Sequence, residues 1–273
     1  MSTIPQIKLN NGLTMPQLGL GVLKMTDGDE VRQAVLSALK EGYRSIDTAR
    51  AYGNEEGVGQ GIKGSGIPRK DIFLTTKLWN RDQGYDSTLK AFQESLARLG
   101  SEYVDLYLIH WPGKNTYKDT WKAMEKLYND GLIRAIGVSN FQVHHLEDLH
   151  RSSNVVPVLN QIELHPYLTQ EEVRGYCFSH DIKVEAWSPL GQGVLLKDQT
   201  LQSLAKKYQR SVAQIILRWD IQNDIIVIPK STKAERMKEN MTLFDFSIDE
   251  EDMKTINSLN KNQRTGPDPD VFF

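Results

Sequence analysis

Eight apolar, strand-like runs alternate with amphipathic, helix-like stretches along nearly the whole chain, and this alternation constrains the fold more than any other feature. The runs are Gln17–Leu20, Ser45–Asp47, Ile72–Lys77, Val104–His110, Ile133–Ser139, Val158–Glu163, Lys183–Trp187 and Ile225–Ile228. Helical periodicity falls at Glu30–Glu41, Glu55–Lys63, Tyr85–Leu99, Tyr117–Asp130, Val143–Ser152, Gln170–His180, Leu201–Asp220 and Lys233–Met241. Continuous apolar strands need cover on both faces, which strand-helix alternation supplies when the strands are parallel. With 273 residues, 39% of them hydrophobic, one large core is affordable to the chain. The expectation is α/β: one (β/α)8 TIM barrel domain over residues 1–273.

Two additions frame the barrel. Ile7–Met15 alternates around Asn11-Gly12, a strong hairpin signal, and is expected as an N-terminal β-hairpin covering the barrel floor. Ser247-Ile248-Asp249-Glu250 reads as a capping box for an extra C-terminal helix, and Asn260–Phe273 as an irregular tail lying over the barrel.

A net charge of −2 and a pI near 6.3 give no reason to expect nucleic acid or an anionic membrane as partner. The single cysteine, Cys177, excludes an internal disulfide, and its setting between Tyr176 and Phe178 favours a packed side chain over a nucleophile. The opening residues lack a charged start and an apolar signal core, and no apolar stretch approaches the roughly 20 residues that span a bilayer. A cytoplasmic location is expected.

In a barrel the C-terminal strand ends form the reactive face. Asp47, Lys77 and His110 stand at three successive such ends, and Tyr52 follows Asp47 closely. Singly, each has a bland explanation; jointly, a carboxylate, an ammonium, an imidazole and a phenol suit carbonyl chemistry. When hydride adds to a carbonyl, its oxygen needs a proton, and Tyr52 is the expected donor. A free tyrosine titrates near 10, so matching it to neutrality takes about 4 kcal/mol of preference for the phenolate. An ammonium about 4 Å away at an effective dielectric near 20 supplies about that much before desolvation. Lys77 is that ammonium, Asp47 holds it, and His110 polarises the carbonyl.

Hydride must come from a cofactor. Lys230 closes a strand, Thr232 and Glu235 read as a capping box, and Arg236, Glu239 and Asn240 share a helix face. Two cations beside a helix start suit a phosphate monoester, such as the 2′-phosphate of NADPH. Trp79 and Trp111, just past the Lys77 and His110 strands, are expected to wall the substrate opening.

Two other patterns are set aside. Gly59-Gln60-Gly61-Ile62-Lys63-Gly64 matches GxGxxG, but it ends a helix instead of joining a strand to one, so it reads as a helix stop. His144, His145 and His150 share a helix with no carboxylate or cysteine at a convincing ligand spacing, so no metal is expected.

Three blocks carry a resemblance over essentially the whole chain: GYRSIDTARAYGNEEGVG at 42–59, IRAIGVSNF at 133–141 and IPKSTKAERMKEN at 228–240. By these the chain resembles the aldo-keto reductase family. The resemblance implies a catalytic tetrad of Asp47, Tyr52, Lys77 and His110. It places Ser231 and Thr232 at the phosphate, Glu239 and Asn240 at the adenine, and Ser139, Asn140 and Gln161 at the nicotinamide amide. Trp187 stands where the family stacks an aromatic ring, often Tyr, on the nicotinamide. Gly21, Val22 and the Ser188–Gly193 loop, with Leu190 and Gly193, are implied at the ribose and pyrophosphate. The short 111–117 connection and brief tail resemble bacterial members acting on methylglyoxal-type 2-oxoaldehydes and diketogluconate-type sugars, with an open pocket. The family suggests a monomer acting on small carbonyls. The rival reading, a nucleotide-sensing binding subunit on the same scaffold, would keep the cofactor block without turnover.

Overall fold

The computed structural model describes residues 4–272. It opens with β1 (Gln6–Lys8) and β2 (Thr14–Pro16), an antiparallel pair with Ile7 opposite Met15. Gly12, at φ 88°, turns the hairpin in a region that favours glycine. Asn10 and Asn11 donate to the carbonyls of Pro157 and Arg134, and Leu9 and Met15 pack with Leu106, Leu108 and Val158. The hairpin therefore covers the barrel floor as expected.

The barrel strands are β3 (Leu20–Gly21), β4 (Ser45–Asp47), β5 (Phe73–Leu78), β6 (Val104–Ile109), β7 (Ile133–Ser139), β8 (Leu159–Glu163), β9 (Lys183–Trp187) and β10 (Ile226–Val227). They lie side by side in sequence order, with parallel pairing throughout. Parallel bridges Leu18–Val227 and Gly21–Lys230 join the last strand to the first and close the barrel. The helices are α1 (Asp29–Glu41), α2 (Glu55–Gly64), α3 (Tyr85–Leu99), α4 (Tyr117–Asn129), α5 (Val143–His150), α6 (Glu171–Ser179), α7 (Gln199–Tyr208), α8 (Val212–Gln222), α9 (Ala234–Met241) and α10 (Glu250–Asn257).

Three helix expectations change. The stretch Leu201–Asp220 is two helices: Gln209 turns left-handed at φ 53°, and Ser211 with Gln214 forms a capping box that starts α8. The last helix is capped by Asp249, which accepts the Asp252 N–H, and not from Ser247. Nor does α9 begin on a Thr232–Glu235 box. Lys233 is its cap residue, and Ser231 Oγ accepts the Lys233 N–H.

The GxGxxG run closes a helix as expected, but only with its last glycine: Gly59 and Gly61 lie within α2, and Gly64 ends it. A Cβ on Gly59 would stand 2.2 Å from the Leu99 carbonyl oxygen, and one on Gly61 2.8 Å from Val35, so these glycines let α1 and α3 approach. Gly59→Ala is expected to cost roughly 1–3 kcal/mol by overpacking; an unchanged urea midpoint would contradict this. Cys177 is buried on α6, and burial pushes its thiol up to about 12, which fits a packed, unreactive side chain.

Candidate active site

The strand ends assemble the expected residues at the C-terminal face. Asp47 ends β4, Lys77 is the penultimate residue of β5, His110 follows β6, Ser139 ends β7, Gln161 lies in β8 and Trp187 ends β9. Tyr52 closes the short 3-10 turn Arg50–Tyr52 that follows β4. Register extends this rim to the cationic block: Asp47 pairs with Gly21, and Gly21 bridges to Lys230. A Cβ on Gly21 would lie 2.6 Å from the Ile228 carbonyl oxygen, so glycine is what allows these backbones their spacing.

Lys77 is fully buried and uses all three ammonium protons. Its Nζ donates to Asp47 Oδ1 at 2.6 Å, to the Thr48 carbonyl at 2.9 Å and to the Tyr52 hydroxyl at 3.2 Å. Burial alone would lower the Lys77 pKa, but the Asp47 carboxylate and Tyr52 outweigh it and the ammonium is held. For Tyr52, burial raises the phenol above its ordinary value; Lys77 opposes this, while Asp47 and Glu185 add to it. The expectation that Lys77 carries the phenol towards neutrality is thus corrected: desolvation exceeds the attraction of one ammonium. Tyr52 keeps its proton at neutral pH. Because Lys77 donates to the phenol oxygen, the phenolic proton is aimed away from it.

His110 is buried and neutral: burial first, then the Lys77 charge, hold its pKa well below the ordinary value. Its ring meets Tyr52 and Trp79 edge-on, with centroids 5.7 and 5.2 Å apart. Its Nδ1 is buried without a hydrogen-bond partner, which leaves Nε2 as the nitrogen a ligand can meet.

The residues expected at the nicotinamide are already tied together. Gln161 Nε2 donates to Asp47 Oδ2 at 2.9 Å and to Glu185 Oε2 at 2.6 Å, so only its Oε1 remains for a ligand. Asn140 donates to the His110 carbonyl and Ser139 Oγ, and its Oδ1 accepts Trp187 Nε1 at 2.7 Å. Ser139 Oγ donates to the Gln161 carbonyl. The trio therefore offers acceptors, and a ligand carbonyl would draw on the rotatable Ser139 hydroxyl.

At the other end, Lys230, Thr232 and Arg236 are exposed and Ser231 is buried. Glu239 is half-buried, and Asn240 is buried and hydrogen-bonds Tyr43. Val22 is buried, its N–H bonded to the Asp47 carbonyl. In the loop after β9, Ser188 (φ 49°) and Gly193 (φ 96°) are left-handed, and Leu190 accepts the Gly193 N–H. Exposed cations, backbone held open by glycine and a spare amide oxygen fit a phosphate-bearing nicotinamide dinucleotide.

Sequence reasoning did not find the work of the tail. Glu163 Oε1 accepts the N–H groups of Thr265 and Gly266, and Gly266 lies so close to Trp187 that a Cβ would stand 2.4 Å from its ring. Phe272 packs on Trp111 with centroids 4.4 Å apart and meets Trp79 at 6.5 Å. The tail therefore lies against the aromatic rim of the opening. Asp270 faces His144 and His145, a carboxylate from the tail brought beside the histidine pair. His145 Nδ1 accepts the Gln142 N–H, so its proton sits on Nε2 towards Asp270. That tautomer makes the group a fastening for the tail and removes His145 as a metal ligand. A recess of about 720 Å³ on the barrel floor, lined by Arg174, Phe178 and Asn223 among others, lies at the opposite end from this chemistry.

A model of the Aldo/keto reductase family matches residues 17–261. The chain is 58% identical to the glyoxal reductase of Bacillus subtilis over 267 residues, covering 98% of this chain and 97% of that protein. A crystal structure of an aldo/keto reductase from Brucella melitensis is 57% identical, with a TM-score of 0.91, covering 94% of this chain and all of that one. A Bombyx mori aldo-keto reductase solved in complex with NADP is 42% identical, with a TM-score of 0.93, covering 99% and 97%.

Proposed function

The chain belongs to the aldo/keto reductase family, and on that premise we propose that it reduces small activated carbonyls, 2-oxoaldehydes such as glyoxal and methylglyoxal and also keto sugars, to alcohols, with Tyr52 as general acid. It is an NADP-dependent oxidoreductase. The observation that carries the reading of Tyr52 is the buried Lys77, whose protons are divided among Asp47, Thr48 and Tyr52.

NADPH supplies the hydride when bound. The chain does the rest. His110, kept neutral, directs an N–H at the substrate oxygen and fixes its orientation. As that oxygen gains negative charge, Tyr52 gives up the proton that Lys77 has turned towards it, and Lys77 stabilises the phenolate left behind. Asp47 keeps Lys77 charged in a dry site, where an unpaired ammonium would be costly. Trp79, Trp111 and Phe272 exclude water and admit flat, small carbonyls better than bulky ones. Gln161 Oε1 would accept from the nicotinamide amide, Trp187 would lie against its ring, and Lys230, Ser231, Thr232 and Arg236 would hold the 2′-phosphate. Glu239 and Asn240 would flank the adenine.

Lys230→Ala and Arg236→Ala are each expected to weaken NADPH binding about 10- to 100-fold, the worth of one charge-assisted bond, with little effect on NADH. Quenching of tryptophan fluorescence by each cofactor measures this. Equal loss for both cofactors would remove the 2′-phosphate from the account.

A further inference from the structure

Glu185 lies in the middle of β9, fully buried, and none of the roles above uses it. Its Oε2 accepts from Gln161 Nε2, and the same nitrogen reaches Asp47 Oδ2. Asp47 Oδ1 holds Lys77, and Lys77 holds the Tyr52 hydroxyl. A continuous line of side chains thus runs from Glu185 through Gln161, Asp47 and Lys77 to Tyr52. At its far end, Glu185 Oε1 is buried with no hydrogen-bond partner.

Two carboxyl groups on one amide nitrogen in a dry interior cannot both ionise readily. Asp47 has the Lys77 ammonium against it and Glu185 has no cation in contact, so the proton rests on Glu185. Burial first, then the Asp47 charge, push its carboxyl up to about 8. The charged groups acting on it are Asp47 from β4 and Lys77 from β5; Gln161 meets it from β8, and β10 sets the apolar Ile226 beside it.

We propose that Glu185 is a positioning residue for proton transfer: through Gln161 and Asp47 it sets how tightly the Lys77–Tyr52 pair holds its proton, differently when neutral and when charged. This rests on Tyr52 being the proton donor. Neutral Glu185 leaves the Lys77 field on the phenol opposed by Asp47 alone. Ionised Glu185 adds a second negative charge and raises the phenol further. As pH rises past about 8, Tyr52 therefore becomes a weaker acid that keeps its proton to higher pH. Carbonyl reduction, which needs the protonated phenol, extends to higher pH, and alcohol oxidation, which needs the phenolate, starts later.

Glu185→Gln keeps an acceptor for Gln161 and never ionises. With glyoxal and NADPH it should turn over within a few-fold of wild type at neutral pH. Its alkaline limb should move to lower pH by roughly one unit, the order of effect of one buried charge acting across the side-chain line. Oxidation of the product alcohol with NADP⁺ should begin lower by a similar amount. A profile in the wild-type position, or a loss of activity by one constant factor at every pH, overturns the proposal. If E185Q does not fold, the wild type decides. Its buried carboxylic-acid infrared band must disappear at a lower pH than the alkaline limb of reduction, and a band that persists past that limb overturns it. The parent reading fails separately, through a Tyr52→Phe variant that still turns over.

Discussion

Tyr52→Phe is expected to lower kcat for glyoxal reduction by about 10²–10⁴-fold, the usual worth of a positioned general acid, while NADPH binding stays near wild type. The variant removes one oxygen from a half-buried ring and leaves its edge contact with His110. Lys77 keeps Asp47 and the Thr48 carbonyl as partners, so the fold should be little affected. Because the phenol sits above its ordinary value in the folded chain, wild-type reduction should not decline on approaching pH 8 through Tyr52 itself. Near wild-type turnover by the phenylalanine variant, with NADPH still bound, would contradict the role assigned to Tyr52.

The second large effect belongs to Lys77→Met, which acts on stability and turnover together. Removing the ammonium leaves Asp47, only 2% exposed, as a buried carboxylate without its cation. Breaking one side of a buried ion pair costs about 3–5 kcal/mol, and the phenolate formed at Tyr52 loses its stabilising charge as well. We expect a clear fall in the urea midpoint together with near-complete loss of reductase activity. Adding Asp47→Asn to Lys77→Met should recover much of the midpoint, because the unpaired charge is gone, but none of the turnover. A single variant as stable as wild type would mean that the pair carries no structural weight.

Much of this architecture was legible in the chain itself, and particular residues explain both the successes and the gaps. Ser45–Asp47, Ile133–Ser139 and Lys183–Trp187 are strands with the bounds read from their apolar runs, because each is short, continuous and followed by turn-forming residues. Apolar periodicity runs on across Gln209 and Arg210, which hid the break between α7 and α8; Ser211 and Gln214, three residues apart, were the local sign of it. Tyr52, Lys77, His110 and Asp47 were readable because position on successive strand ends implies proximity. The sign of the Tyr52 shift was not, since it depends on how deeply the site is desolvated. Glu185 was hidden as one polar residue inside an apolar strand. Nothing local tells that its partner is Gln161 or that Asp47 shares the same amide. The tail contacts were out of reach for a similar reason. Thr265 meets Glu163 and Phe272 meets Trp111 across more than a hundred residues of chain, with no repeating pattern to announce either.

The central claim is that this chain turns over, passing hydride from NADPH to a small carbonyl with a proton from Tyr52. Steady-state oxidation of NADPH by the purified protein with glyoxal tests it most directly. The account predicts many turnovers per protein, no oxidation without the carbonyl, and loss of the signal in Tyr52→Phe. NADPH that quenches tryptophan fluorescence yet is not oxidised in the presence of glyoxal, methylglyoxal or a keto sugar would contradict it, and would point instead to a nucleotide-sensing protein built on a reductase scaffold.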